Sequence, residues 1–298
     1  MRVTDSSVAV IPSRLLSNAG RLLGTKSPLH TNRRSQRLLK LSDYVLKPLQ
    51  AAQKGKREHA FYEEAGNSPL ADFVPKYYGL LELQTTVEGK KAGISRTPRH
   101  IPWLPQAKFM DIKIGQRTYG PDASPSKIQA ENSKYVGTKD PFGLSFVSMF
   151  VHPLSGAQGS SPVIYDRNFG RRLKTEDVLE VPRIFFDTDS GGKVVFSLIV
   201  VILEEIKRIR DVFKTQTDYK IYSSSLLVVY DSERVRSLVQ RDDLSEASLI
   251  ESLKSSIRVK IIDFAHAHPG AGSIDDNFLF GINSLIGLFE KFIKDNQV

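Results

Sequence analysis

The chain has 298 residues, 40% of them apolar and 25% charged, an ordinary balance for a soluble globular protein with length for one large domain or two lobes. It contains no cysteine, which excludes a disulfide scaffold and thiolate metal sites and fits a reducing compartment. The formal charge of +9 sits at one end: residues 1–57 hold 12 Lys and Arg against 2 Asp, and the remaining chain holds 30 against 31.

In chain order, residues 1–40 form a basic, weakly structured segment. Its densest run is TNRRSQRLLK, Thr31–Lys40. It reads as a nuclear-import or anion-binding segment, as an Arg- and Ser-rich transit peptide, or as a solvated tail. General polyanion or nucleic-acid binding by the first 57 residues is a further reading, and no obligate nucleic-acid partner is expected. YVLKPL, Tyr44–Leu49, predicts a short strand that sets Lys47 among apolar neighbours and ends at Pro48. AAQKGK reads as a loop, and Glu58 opens a helix with Phe61 and Tyr62 on its apolar stripe. Phe73–Leu83 reads as strand material, and Val87–Pro105, without a clear period, as a connection between lobes.

Lys108–Ile114 is the next strand. Alternation places Asp111 and Lys113 on one face and Met110, Ile112 and Ile114 on the other. Such a charged pair in an apolar strand is costly unless something satisfies it. Ser124 as N-cap and Pro125 at the first helical position open the helix PSKIQAENSKY, where i, i+4, i+7 spacing aligns Lys127, Glu131 and Lys134. Glu131 either pairs with Lys127 or repels a phosphate held between the lysines.

Leu144–Val151 predicts a strand, and Lys174–Leu179 and Val194–Lys214 predict helices. The run VVFSLIVVIL within the second is well short of the roughly 20 residues of a membrane span, so it reads as a buried helix and no transmembrane segment is expected. No signal peptide is evident. Leu226–Asp231, after Ser223, Ser224 and Ser225, is a buried strand. Arg234–Ser256 reads as a polar surface insertion with some helix, Val259–Phe264 as a buried strand ending in an aspartate, and Phe278–Lys294 as the last helix. Strands and helices interleaved without a βαβ period predict an α+β fold.

Four charged residues therefore stand in apolar strands: Lys47, Asp111, Lys113 and Asp263. Singly, each has a structural reading as a snorkelling lysine or a capping aspartate. Together they suit phosphoryl transfer. One lysine cradles nucleotide phosphates, one carboxylate holds magnesium, a second orients the acceptor hydroxyl, and another cation neutralises the transferring group. No Walker-type loop, HRD or DFG triplet is present. His266 and His268 in HAH have no cysteine or further histidine cluster beside them and are not read as a metal pair.

Asp-x-Lys-x-Gly at 111–115, Ser-Ser-Leu-Leu at 224–227 and Ile-Asp-Phe-Ala-His at 262–266 resemble the three signatures of the inositol polyphosphate kinases, in that family's order. VLKPLQAAQKGKREHAFYEE (45–64) resembles its nucleotide-lysine strand and following helix, and NFGRRL (168–173) and IDDNFLFGINSLI (274–286) resemble further segments. The likeness covers most of residues 45–298. IGQRTYGPDASPSKIQ and SKY are most similar to the multikinases, and SSSLLVVYD is equally similar to the inositol hexakisphosphate kinases. The chain departs from the pattern at Ala107, where the motif begins with proline, and at Ala130 and Glu131. It departs again in RTPRHIPWLPQAK, where no adenine-binding hinge is found.

The resemblance implies a two-lobed, protein-kinase-like α+β fold that binds ATP and Mg2+. Its nucleotide lobe spans 41–104, and its C-terminal lobe 105–298 carries a helical substrate-binding insertion at about 122–185. By the same resemblance, Lys47 contacts ATP phosphates and pairs with Glu58, and Asp263 binds magnesium with Ser225 close by. Asp111 faces the acceptor hydroxyl and Lys113 the transferring phosphate. Lys127, Lys134 and His266 hold the inositol phosphate. The implied activity is an ATP-dependent phosphotransferase with an alcohol acceptor, acting on inositol trisphosphate and tetrakisphosphate. A phosphoinositide headgroup is a further candidate acceptor. The protein is expected to be a monomer of nucleus and cytoplasm. Two alternatives stay open: a hexakisphosphate kinase making pyrophosphates, and a catalytically impaired family member acting as a scaffold.

Overall fold

A computed structural model describes residues 39–41, 44–48, 50, 53–84, 91–98, 107–154, 161–241 and 243–296. The basic segment 1–38 and the hinge region 99–106 lie outside the described residues. The chain divides into two compact units, residues 1–71 with 75–102 and residues 72–74 with 103–298.

In the first unit, β1 (Leu39–Leu41), β2 (Tyr44–Pro48), β3 (Leu80–Gln84) and β4 (Lys91–Pro98) form an antiparallel sheet in the order β1-β2-β4-β3. The connector expected over Val87–Pro105 thus contains an inner strand. Its sequence, KAGISRTP, lacks the apolar alternation that marks a half-buried strand, so pairing with β2 and β3 is what defines it. Helix α1 spans Gln53–Ala65, beginning before Glu58 instead of at it. The loop expected over AAQKGK therefore ends at Gln53. Gly55 makes that start possible, because a Cβ there would lie 2.5 Å from the Gln50 carbonyl oxygen. Glu58, Phe61, Tyr62 and Ala65 are buried at i, i+3, i+4 and i+7. Strand β3 is shorter than the Phe73–Leu83 run, since Phe73 lies in a turn and pairing with β4 begins only at Leu80. Phe73 and Val74 are buried with the second unit, where Phe73 O accepts from Ile261 N at 2.7 Å.

The second unit is built on an antiparallel five-stranded sheet. It contains β5 (Ala107–Ile114), β6 (Leu144–Val151), β7 (Val163–Tyr165), β9 (Ser225–Asp231) and β10 (Ile257–Ile262), in the order β10-β9-β5-β6-β7. Strand β8 (Tyr219–Ile221) instead pairs with β11 (Ala267–Pro269). Met110, Ile112 and Ile114 are fully buried, as the alternation of β5 requires. Helix α6 (Thr188–Phe213), kinked at Gly192, and helix α9 (Asp276–Asn296) pack together, with Phe213 stacked on Phe278 at 4.0 Å. No helix among the described residues is long and apolar enough to cross a membrane.

Several helix expectations shift. Lys174–Leu179 is turn, and α5 begins at Glu180 and runs to Phe186. The polar stretch 234–256 is helical: α7 (Ser232–Val239) and α8 (Glu246–Ser256) bury Val235, Leu238, Leu249 and Leu253. The helix after Ser124, α2 (Pro125–Asn132), is shorter than the run PSKIQAENSKY. Tyr135 then turns left-handed (φ 56°) into α3 (Val136–Phe142). Lys134 therefore lies past the end of α2 instead of on its face.

Candidate active site

In the first unit, Lys47 on β2 donates to Glu58 on α1 at 2.5 Å. Glu58 is buried and Lys47 keeps 18% side-chain exposure, so the pair is a positioned cation with a shielded counter-charge.

In the second unit, register brings the other residues together. Lys113 on β5 is paired with Ser225 on β9, and Ser225 with Ile262, the last residue of β10. Asp263 follows at once, in the left-handed region (φ 68°). Asp111 lies two residues before Lys113, diagonal to Ser225 across the β5–β9 pair. The β5–β6 register slips between Asp111 and Ile112, a bulge of the kind that re-aims side chains beside functional sites. Strain at a non-glycine residue such as Asp263 is likewise concentrated at such sites.

The electrostatics follow from this packing. Burial pushes the Asp111 carboxyl up to about 6, and the Asp263 charge adds to the rise. The Ser225 hydroxyl, Lys113 and Arg167 oppose it. Asp111 Oδ1 and Ser225 Oγ are buried without a hydrogen bond of good geometry, although the hydroxyl lies near enough to act on the carboxylate. Lys113 Nζ donates to Ser223 Oγ at 2.6 Å. Arg167 opens α4 (Arg167–Arg172) behind an Asp166 cap. Arg167 carries no local signal of a role in the sequence beyond its place directly before NFGRRL.

Gly115 ends β5 at φ 105°, and a Cβ there would collide with the Asn277 side chain. Beyond it, Ser124 Oγ accepts from Lys127 N at 3.3 Å to cap α2 as expected. Lys139 is buried, and its ammonium donates to the Glu131 and Asn132 carbonyls, closing the C-terminus of α2. Lys127 Nζ lies 3.1 Å from His266 Nε2. Glu131 pairs with Lys134 at 2.7 Å instead of Lys127, because the chain turns after Asn132 and brings Lys134 back. Burial raises the Glu131 carboxyl, but Lys134, Lys113 and Thr118 outweigh that and hold it below its usual range. Lys113, Lys127, Lys134 and His266 thus come from separate parts of the sequence into one unit, along with Asp111, Ser225 and Asp263.

Two carboxylates whose charges act on each other, with Lys113 beside them, are the parts a phosphotransferase uses. The family model for inositol polyphosphate kinase matches residues 104–290, and the chain belongs to that family. Inositol polyphosphate multikinase alpha of Arabidopsis thaliana is 29% identical over 264 residues, covering 83% of this chain and 86% of that protein. Human inositol hexakisphosphate kinase 2 is also 29% identical, but over 214 residues, covering 63% of this chain and 48% of that protein. The crystal structure of the S. cerevisiae inositol phosphate multikinase Ipk2 with ADP and Mn2+ superposes with a TM-score of 0.67. Its identity is 21%, covering 85% of this chain and all of that one, and the likeness is one of fold.

Proposed function

We propose that this protein transfers the γ-phosphate of ATP to ring hydroxyls of inositol trisphosphate and tetrakisphosphate, as a multikinase. The observation that carries the reading is the register line Lys113–Ser225–Ile262, which sets Asp111, Lys113 and Asp263 at one end of three neighbouring strands. Relatives named multikinases, matching along most of their own length, favour this reading over a hexakisphosphate kinase or a scaffold.

In this reading Asp111 accepts the proton of the attacking hydroxyl, and its raised pKa suits a base near neutrality. Lys113 stabilises charge on the phosphoryl group in flight. Lys47, held by Glu58, offers its ammonium to the ATP phosphates. Lys127, Lys134 and His266 bind substrate phosphates. Lysines match such acceptors as point charges.

A magnesium ion fits the donors here: Asp263 and the hydroxyl of Ser225 are hard oxygen ligands, and the buried Asp111 and Ser225 oxygens lack good hydrogen bonds. Asp263, with Ser225 beside it, would hold the ion, which when bound supplies charge neutralisation on ATP phosphates. The isolated protein acts as a monomer, and phosphoinositide headgroups, which present similar phosphates, are a further substrate to test. The basic run Thr31–Lys40 supports a nuclear as well as cytoplasmic location, which a fluorescent fusion tests with and without that run.

The deciding experiment incubates the purified chain with Mg-ATP and a panel of inositol phosphates and identifies the products. Phosphate added to free hydroxyls of the trisphosphate and tetrakisphosphate supports the reading. Pyrophosphate on the hexakisphosphate alone, or no transfer at all, overturns it.

A further inference from the structure

In sequence His266 and His268 have no third metal-ligating partner beside them, and the fold supplies one. Asp122, from the turn before α2, presents a carboxylate oxygen that lies, with one ring nitrogen of each histidine, in a set whose members are all within 4.8 Å of one another. Asp122 Oδ1 is 3.7 Å from His268 Nε2.

The local build favours this meeting. Gly120 lies directly behind it, where a Cβ would come within 2.5 Å of His268 Nε2 and 2.8 Å of Asp122 Oδ1. Any other residue would push the two apart. His268 is anchored on β11, paired with Lys220 of β8, and its ring stands edge-on to Tyr222 at 5.8 Å. His266 is fixed through its carbonyl, which accepts from Tyr222 N at 3.1 Å. His268, carried on a paired strand, holds its geometry better than a ligand on a loop would.

We infer that Asp122, His266 and His268 form a site for a first-row transition ion, with zinc the best match, distinct from the magnesium of the proposed reaction. Two imidazoles and one carboxylate are a zinc donor set that leaves a position open. At bonds of about 2.0–2.2 Å, ligand atoms around a tetrahedral ion stand roughly 3.3–3.6 Å apart, so the 3.7 Å pair is nearly in place and the wider ones need a modest side-chain rotation. Magnesium, which takes oxygen ligands, is not the expected occupant. Lys127 is the nearby opposing cation, 3.1 Å from His266 Nε2. An ion on either ring nitrogen of His266 ends that contact: on Nε2 it takes the lone pair that accepts from Lys127, and on Nδ1 it leaves Nε2 protonated and unable to accept. Resting on the kinase reading, zinc there ties up the His266 ring and its charge repels the Lys127 ammonium, so both bind a substrate phosphate less well and transfer is inhibited.

The test titrates zinc chloride into the metal-stripped full chain by calorimetry, without ATP or inositol phosphate, so that it stands whether or not the kinase reading does. One equivalent should bind. His268→Gln and Asp122→Asn, each shown folded by circular dichroism, should weaken binding at least tenfold. No stoichiometric binding, or variants that bind like the parent, overturns the site. In the kinase assay, His268→Gln should retain basal activity and lose zinc inhibition. Equal inhibition of parent and variant overturns the link to His266.

Discussion

Asn277 grips the Arg117 backbone with both ends of its amide. Oδ1 accepts from Arg117 N at 2.8 Å, and Nδ2 donates to Arg117 O at 3.1 Å. The same amide fills the space beside Gly115. Helix α9 thereby fixes where the chain leaves β5 on its way from Lys113 to Lys127.

Gly115→Ala should lose twice over, from a side chain at φ 105° and from collision with Asn277. We expect a loss of roughly 1–3 kcal/mol in stability, read from urea midpoints at unchanged m. Asn277→Ala relieves the collision but not the backbone strain. The double variant should therefore cost less than the sum of the singles, and strict additivity would contradict the contact.

Asp111→Asn removes a buried charge that already lacks a good hydrogen bond at Oδ1. Its turnover should fall about 10²–10⁴-fold if Asp111 is the base. Its melting temperature should hold or rise, because burial disfavours the ionised carboxylate. A variant that loses turnover only by unfolding would refute the assignment.

Lys108 is a fully buried lysine whose Nζ has no hydrogen-bond partner and sits 5.3 Å from the Tyr230 ring centre. Burial pulls it down to about 8 from an ordinary 10.5, against the attraction of Asp187. Below pH 8 both states are protonated and the folded state bears the full cost, about 3 kcal/mol. Between pH 8 and 10.5 the unfolded chain holds a proton that the folded one has released, so this group makes stability rise with pH. Lys108→Met should be more stable than the parent at pH 7, with the gap closing as pH climbs through that window. Paired urea titrations at pH 7 and 9.5 measure it, and a less stable variant at pH 7 contradicts the account.

Lys47→Met strands the buried Glu58. A loss of roughly 1–3 kcal/mol is expected, below that of a fully buried pair because Lys47 is partly exposed. The thermal shift given by Mg-ATP should shrink sharply. Adding Glu58→Leu should restore stability without restoring the ATP shift. Recovery of both would show that Lys47 does not touch nucleotide.

Much of the candidate site is legible in the chain because it sits where local rules are strong. Two-residue alternation alone puts Asp111 and Lys113 on one face of β5 and Met110, Ile112 and Ile114 in the core. Ser124 and Pro125 announce the start of α2, since an N-cap and a first-turn proline act within one helical turn. What the tertiary structure alone decides are contacts between residues far apart in sequence. These are the inner strand Lys91–Pro98, defined by its neighbours and not its pattern, and the reversal after Asn132 that gives Glu131 to Lys134 and leaves Lys127 to His266. Lys108 obeys the same alternation that places Ile112, yet its burial as a charge becomes visible only when Tyr230 and Asp187 close over it. Asp122 meets His268 because β11 pairs with β8 and Gly120 leaves room, a condition set by packing and invisible to any local period.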